Sequence, residues 1–306
     1  KYKEIMLFFP TQGQTCHAYC TFCFRWPQFA LSEFKFAMKE ADSMVSYLKA
    51  NPKITDVLFT GGDPAVMKTR FFKEYINALL DADIPHLKNI RIGTKSLTFW
   101  PYRYTTDDDA DELLELFEKV KRKGINIALM VHINHPRELK TKVVKRAVKR
   151  LISVGVQVRS QSPLLRKIND NADIWAKNWK EQVKMGIIPY YMFIARDTGA
   201  QDYFAVTLYR SWQIFRNAYN QISGICRTVR GPSMSCDPGK VQVVGVSEIK
   251  GEKVFVLNFL QGRDSSWVGK PFFAKFDPEA VWFDDLEPAF GDSKFFFEDA
   301  YFEMHA

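Results

Sequence analysis

Residues 5–23 read IMLFFPTQGQTCHAYCTFC. Ile5–Pro10 is an apolar run of the length of a buried strand. The loop after it carries Cys16, Cys20 and Cys23 in C-x3-C-x2-C spacing. A disulfide framework would spread an even number of cysteines along the chain. Here three of only five lie within eight residues, which points to a metal centre in a reducing compartment. Three thiolates can hold three irons of a [4Fe–4S] cluster and leave the fourth iron open to a small molecule. A structural zinc site wants four ligands, and His17, adjacent to Cys16, is badly placed to be the fourth. Zinc and a chance trio of packing thiols are the alternatives.

This strand and loop open a series. Asp56–Thr60 is a second strand, ended by Gly61-Gly62-Asp63-Pro64, and Asn89–Thr94, Ile125–Ile133, Val156–Ser160 and Ile187–Ile194 continue the pattern. Helical periodicity fills the intervals at Ser32–Leu48, Lys68–Leu80, Asp107–Lys123, Lys140–Ser153, Ala172–Lys184 and Asp202–Gln221. Gly124, Gly155 and Gly186 stop three of these helices. Such a rhythm predicts an α/β fold of parallel strands and right-handed crossovers. Its six units are two short of a (βα)8 barrel of ~250 residues. A doubly wound sheet is the alternative, and no G-x-G-x-x-G turn supports it. After Ser223 the composition shifts to Gly, Pro, Ser and Cys, followed by short strands at Val241–Val246 and Val254–Phe259. A boundary near residue 222 divides a barrel domain, 1–222, from a small β-containing extension, 223–306. Polar residues gather at the carboxyl ends of four strands: the cysteine loop, Gly61-Gly62-Asp63, His132–Pro136, and Gln161-Ser162. Parallel α/β folds place their chemistry at that edge.

Composition narrows the class. A 35.5 kDa chain that is 46% hydrophobic can bury one large core, or a core plus a smaller lobe. It is not a disordered chain or a disulfide scaffold. No apolar run reaches the roughly 18 residues of a membrane span, and no secretory signal opens the chain, so a cytoplasmic protein is expected. The first residue is Lys1, and a core strand starts at Ile5, so the natural start is expected upstream. Net charge is +8. Arg137–Arg150, RELKTKVVKRAVKR, holds seven basic residues around an apolar stripe of Val143, Val144, Ala147, Val148 and Leu151, and reads as a helix with a solvated basic face. Asp277–Glu303 carries nine acids against Lys294 alone, with many aromatics, and is expected to pack against the basic body of this chain or of a second copy, as in a homo-oligomer.

The cysteine spacing, with Phe22 just before the third cysteine, resembles the radical S-adenosylmethionine (SAM) superfamily. Collinear matches bring it closer to the lysine 2,3-aminomutase family: Thr60–Pro64, Arg91-Ile92-Gly93, His132–Pro136, Gln161–Arg166, Asn169-Asp170 and Pro189-Tyr190-Tyr191. They span about residues 5 to 262, and the resemblance implies a partial (βα)6 barrel, which agrees with the strand count. The resemblance implies that Cys16, Cys20 and Cys23 ligate a [4Fe–4S] cluster, that Phe22 lies near the adenine of SAM, and that Gly61, Gly62 and Asp63 line its methionine part. It implies SAM-pocket roles for His132 and Gln161. The reduced cluster would cleave SAM, and the resulting 5′-deoxyadenosyl radical would abstract hydrogen. An electron donor such as flavodoxin or ferredoxin is implied as partner.

Family aminomutases also use pyridoxal phosphate (PLP) on a lysine beyond the barrel. Lys240, in Gly231–Lys240 just before a strand, matches that position, although the family's glycine run is mostly replaced. Arg25 matches the arginine that binds the substrate α-carboxylate. Where lysine aminomutases carry two aspartates for the distal ammonium, this chain has Arg196, next to Asp197, and Arg230. Arginines repel an ammonium and attract a carboxylate or phosphate, so a non-lysine, acidic substrate is expected. The family's late zinc cysteines are not matched, because the last cysteine is Cys236, and Cys226 and Cys236 read as packing thiols. The other readings are a PLP-free radical SAM enzyme acting on another metabolite, a peptide or RNA, and a non-catalytic iron–sulfur protein. No aromatic-interleaved basic strand supports nucleic acid, which is not an expected partner.

Overall fold

A computed structural model of the chain describes residues 2–30, 40–197 and 199–304. It divides into two compact units, one comprising Lys3–Gln161 with Lys180–Pro189, the other Lys1–Tyr2, Ser162–Trp179 and Tyr190–Ala306.

The first unit is built on parallel pairing of β1 (Ile5–Phe8), β2 (Asp56–Phe59), β3 (Asn89–Thr94), β4 (Asn126–His132) and the start of β5 (Gln157–Leu164). Val, Ile, Leu, Met, Ala and Phe fill the buried positions of β1, β2 and β4, as burial in a parallel sheet requires. Phe8 and Phe59 meet edge to face at 5.1 Å, and Tyr75 packs 5.0 Å from Phe8. Helices Thr69–Asp81, Ala110–Arg122 and Lys142–Ser153 return the chain between strands and bury one stripe each, for example Leu113, Leu116, Phe117 and Val120. The expected helix Ser32–Leu48 falls partly outside the described residues, and a helix covers Ala41–Ala50. β5 runs past Gln161-Ser162 to Leu164, so this pair sits within the strand rather than at its end. Alternate burial along all eight residues keeps it in the sheet.

In the second unit the part of β6 (Ile188–Ile194) from Tyr190 onward pairs in parallel with β7 (Arg230–Ser235). β8 (Gly239–Ile249), β9 (Glu252–Gly262) and β10 (Pro271–Lys275) then continue in antiparallel order. β7 and β10 are not among the strands expected from sequence. RGPSMS lacks the β-branched and aromatic residues that signal a strand and holds a proline. Residue 222 lies inside this unit, and the change of rhythm there precedes the change from parallel to antiparallel pairing. The helix expected over Asp202–Gln221 is two pieces, Gln201–Phe204 and Leu208–Tyr219. Thr207 breaks it by capping the second piece, its hydroxyl accepting from the Arg210 N–H. Part of the aromatic content of the acidic tail is core: Phe283, Phe295 and Phe297 pack with Phe259, Trp267 and Phe272 of the same unit. Among the described residues no helix is long and apolar enough to cross a membrane.

Candidate active site

Strand order in the first unit brings the predicted residues to one edge. The cysteine loop leaves β1, and its entry is clamped by the turn after β2, where the Asp63 N–H donates to Thr15 O at 2.9 Å. An ideal Cβ on Gly62 would stand 2.3 Å from Thr15 O and 2.4 Å from Gln14 O. Glycine is therefore required for the backbone approach just ahead of Cys16. Asp63 is buried, and its carboxylate accepts from the Ala65 N–H, the Thr94 hydroxyl at 2.6 Å and the Lys95 N–H at 2.8 Å, with His17 Nε2 at 3.8 Å. Burial raises its pKa against these donors. Its side chain is fully engaged in tying β2, β3 and the cysteine loop together.

The three cysteines are half-buried and free. Burial, then the Cys16 and Cys23 charges acting against that of Lys95, pushes the Cys20 thiol up to about 11, and burial raises Cys23 as well. The three thiols thus sit within electrostatic reach of each other. Among the described residues no three His, Cys, Asp or Glu side chains converge on one ion. Three thiols on one loop are the donor set that a cluster with one open iron calls for, each thiolate binding its own iron.

His132 and Gln161 are cross-strand partners in the β4–β5 register, and Gln161 Nε2 stands 3.0 Å from His132 Nε2. Burial, then the charges of Lys95 and Arg25, pushes the His132 pKa down to about 3, so the ring is neutral near pH 7. Arg25 is one of the charges that act on His132. Its guanidinium lies 5.1 Å from the Phe9 ring and 5.2 Å from that of Phe24, and Nη1 donates to Gln28 Oε1 at 3.3 Å. Phe22, in the loop, is half-buried.

In the second unit, Lys240 on β8 points over the ring of Tyr191 on β6, with Nζ 4.0 Å from the centroid and 3.2 Å from Gln261 Oε1. Arg230, first residue of β7, lies over the same ring at 4.3 Å and over Tyr190 at 4.5 Å. The pairing advances from Tyr191↔Arg230 to Phe193↔Ser233, so β7 carries one extra residue. Gly231, at φ +151, allows this bulge, because a Cβ there would stand 2.4 Å from Met192 O. Among the described residues no carboxylate is within ion-pair distance of Arg230. Arg196 is placed differently, 3.6 Å from the Asp197 carboxylate and 5.9 Å from Trp282. A lysine amine and a guanidinium on one aromatic floor fit a flat anionic group such as PLP. Cys226 is buried and Cys236 donates to Gly239 O.

The sequence gives no site role to Lys95 or Glu138, and Tyr191 enters only within the Pro189-Tyr190-Tyr191 match. Lys95 had a signal: it directly follows β3, at the edge where the other site residues lie. Tyr191 had only that match, since an aromatic in a strand is ordinarily core.

No family model matches the chain. It is 33% identical over 286 residues to a protein of Aquifex aeolicus provisionally named an L-lysine 2,3-aminomutase, covering 93% of this chain and 73% of that one. It is 29% identical to the L-lysine 2,3-aminomutase of Clostridium subterminale (69% of this chain, 48% of that one) and 28% identical to the glutamate 2,3-aminomutase of Clostridioides difficile (69% and 47%). The chain thus spans about half the length of these last two relatives. Among solved structures, native anSMEcpe with bound AdoMet and Kp18Cys peptide matches at a TM-score of 0.50 with 14% identity, over 71% of this chain and 59% of that one. The fold shared with it is a mixed α/β architecture with a large parallel sheet. The chain belongs to the L-lysine 2,3-aminomutase family and is an enzyme of that kind.

Proposed function

We propose that this chain catalyses a PLP-dependent 2,3-migration of an amino group on an acidic amino acid. With a [4Fe–4S] cluster, SAM and PLP bound, the cofactors would supply hydrogen abstraction and a carbonyl able to take up the migrating amine. Cys16, Cys20 and Cys23 hold the cluster, and Phe22, Gly61, Gly62, Asp63, His132 and Gln161 form the SAM pocket. Neutral His132 offers that pocket a hydrogen-bonding nitrogen without a positive charge that would repel a sulfonium. Lys240 holds PLP, Arg25 takes the substrate α-carboxylate, and Arg230 takes the second anion. Arg196, already beside Asp197, is the weaker candidate for that contact. The observation that carries the substrate class is Arg230, which lies on the same ring as Lys240 and has no carboxylate partner among the described residues. A relative named for glutamate agrees with it.

Borohydride treatment of PLP-loaded protein should fix the cofactor to Lys240, found by peptide mapping. Glutamate or aspartate should then outcompete lysine by tenfold or more, since a charge-assisted bidentate pair contributes roughly 1.5–3 kcal/mol. Lysine as the better substrate would overturn the Arg230 assignment and turn attention to Asp197. A protein that takes up no PLP would instead point to a PLP-free radical SAM reaction.

A further inference from the structure

The helix Lys142–Ser153 and the turn before it carry Arg137, Lys140, Lys142, Lys145, Arg146 and Lys149, all exposed. Among the described residues none of the six forms an ion pair. Glu138, the only acid between Arg137 and Arg150, is turned inward. Its Oε1 accepts from the Asn134 and His135 N–H groups at 2.8 and 2.9 Å, and its Oε2 from the Thr98 hydroxyl at 2.8 Å and Lys95 Nζ at 3.3 Å. Folding does not call for such an arrangement. Lys142 and Lys145 occupy the helix start, where the dipole favours acids. Lys142, Lys145, Arg146 and Lys149 recur at spacings of three and four, so like charges are neighbours.

The strip begins beside the cysteine loop. Lys95, bonded to Glu138, also donates its backbone N–H to Asp63, whose own N–H bonds Thr15, the residue before Cys16. Phe99, 52% exposed, lies 4.6 Å from Lys95 Nζ and adds an apolar contact at the same place.

We propose that this basic strip is the docking surface for an acidic one-electron carrier protein that reduces the cluster. The proposal rests on reading Cys16, Cys20 and Cys23 as cluster ligands. One electron leaves the carrier, which is oxidised by one, and enters the cluster, and no covalent bond forms or breaks. Opposed charges steer the encounter and orient it without deep burial.

The test uses the cluster-loaded chain and a reduced acidic flavodoxin as probe, with cluster bleaching followed by stopped flow. The second-order rate should fall on the order of tenfold or more from low to high salt. The variant Lys142→Gln/Lys145→Gln/Arg146→Gln/Lys149→Gln should be slower by about the same factor at low salt and bind labelled flavodoxin correspondingly more weakly by anisotropy. Dithionite should reduce both proteins at one rate, and the melting temperature of the variant should be equal or higher, because the repulsion is gone. Equal flavodoxin rates, or rates indifferent to salt, would overturn the proposal. So would a variant that loses affinity for a single-stranded RNA while flavodoxin rates hold, which would assign the strip to nucleic acid. A chain that takes up no iron would overturn the cluster reading itself, and the proposal with it.

Discussion

Gly62 and His132 show what single residues contribute. A Cβ at Gly62 meets the backbone of Gln14 and Thr15 rather than open space. Gly62→Ala should therefore disturb the cysteine loop and the SAM pocket together, costing about 1–3 kcal/mol and lowering iron content. Gly93→Ala, whose nearest contact would be Phe59 O at 3.7 Å, should keep its iron. Iron assay of both variants decides, and full iron in Gly62→Ala would refute the clamp. His132 makes a pH statement. Its folded pKa is pushed from 6.5 down to about 3, so below 6.5 the unfolded chain binds a proton that the folded ring refuses. Stability is thus full above that pH and lost as pH falls toward 3, by at most ~1.4 kcal/mol per unit. Denaturant titration of the cofactor-free chain at pH 7 and 5 should show a smaller loss in His132→Gln than in the parent, and equal losses would exclude the effect. The cysteine spacing, Gly61-Gly62-Asp63 and the His132–Gln161 pair were all legible as motifs. What the motifs could not show is that Asp63 spends its side chain on protein donors, because that depends on Thr94 and Lys95 from another strand.

At the scale of elements, the strands that alternate cleanly were readable and the atypical ones were not. β3 matches its expected bounds because Asn-Ile-Arg-Ile-Gly-Thr alternates in burial. β7 escaped because its pairing depends on a bulge at Gly231 and on β6 and β8 as neighbours, which no local pattern encodes. The acidic tail was legible as aromatic, yet its place in the core of the second unit follows from packing across β9 and β10. Phe297 is 2% exposed there, 4.9 Å from Phe259. Phe297→Ala should cost about 3–5 kcal/mol in urea unfolding. Phe302→Ala, at 63% exposure, should stay within roughly 0.5 kcal/mol, and similar values for the two would contradict this packing.

For the whole molecule, the βα rhythm, the cysteine loop and the similarity to L-lysine 2,3-aminomutases agree on one kind of enzyme. Substrate charge rests on Arg230 and Lys240 in the second unit, and radical generation on the edge of the first. These can fail separately, and the second is central. The direct measurement is reductive SAM cleavage by the anaerobically reconstituted chain, with 5′-deoxyadenosine and methionine quantified after dithionite is added. The parent should form both products in equal amounts and Cys20→Ala neither, because two remaining thiolates cannot hold a cluster with one open iron. Full cleavage by Cys20→Ala, or none by a parent carrying its cluster, would contradict the account.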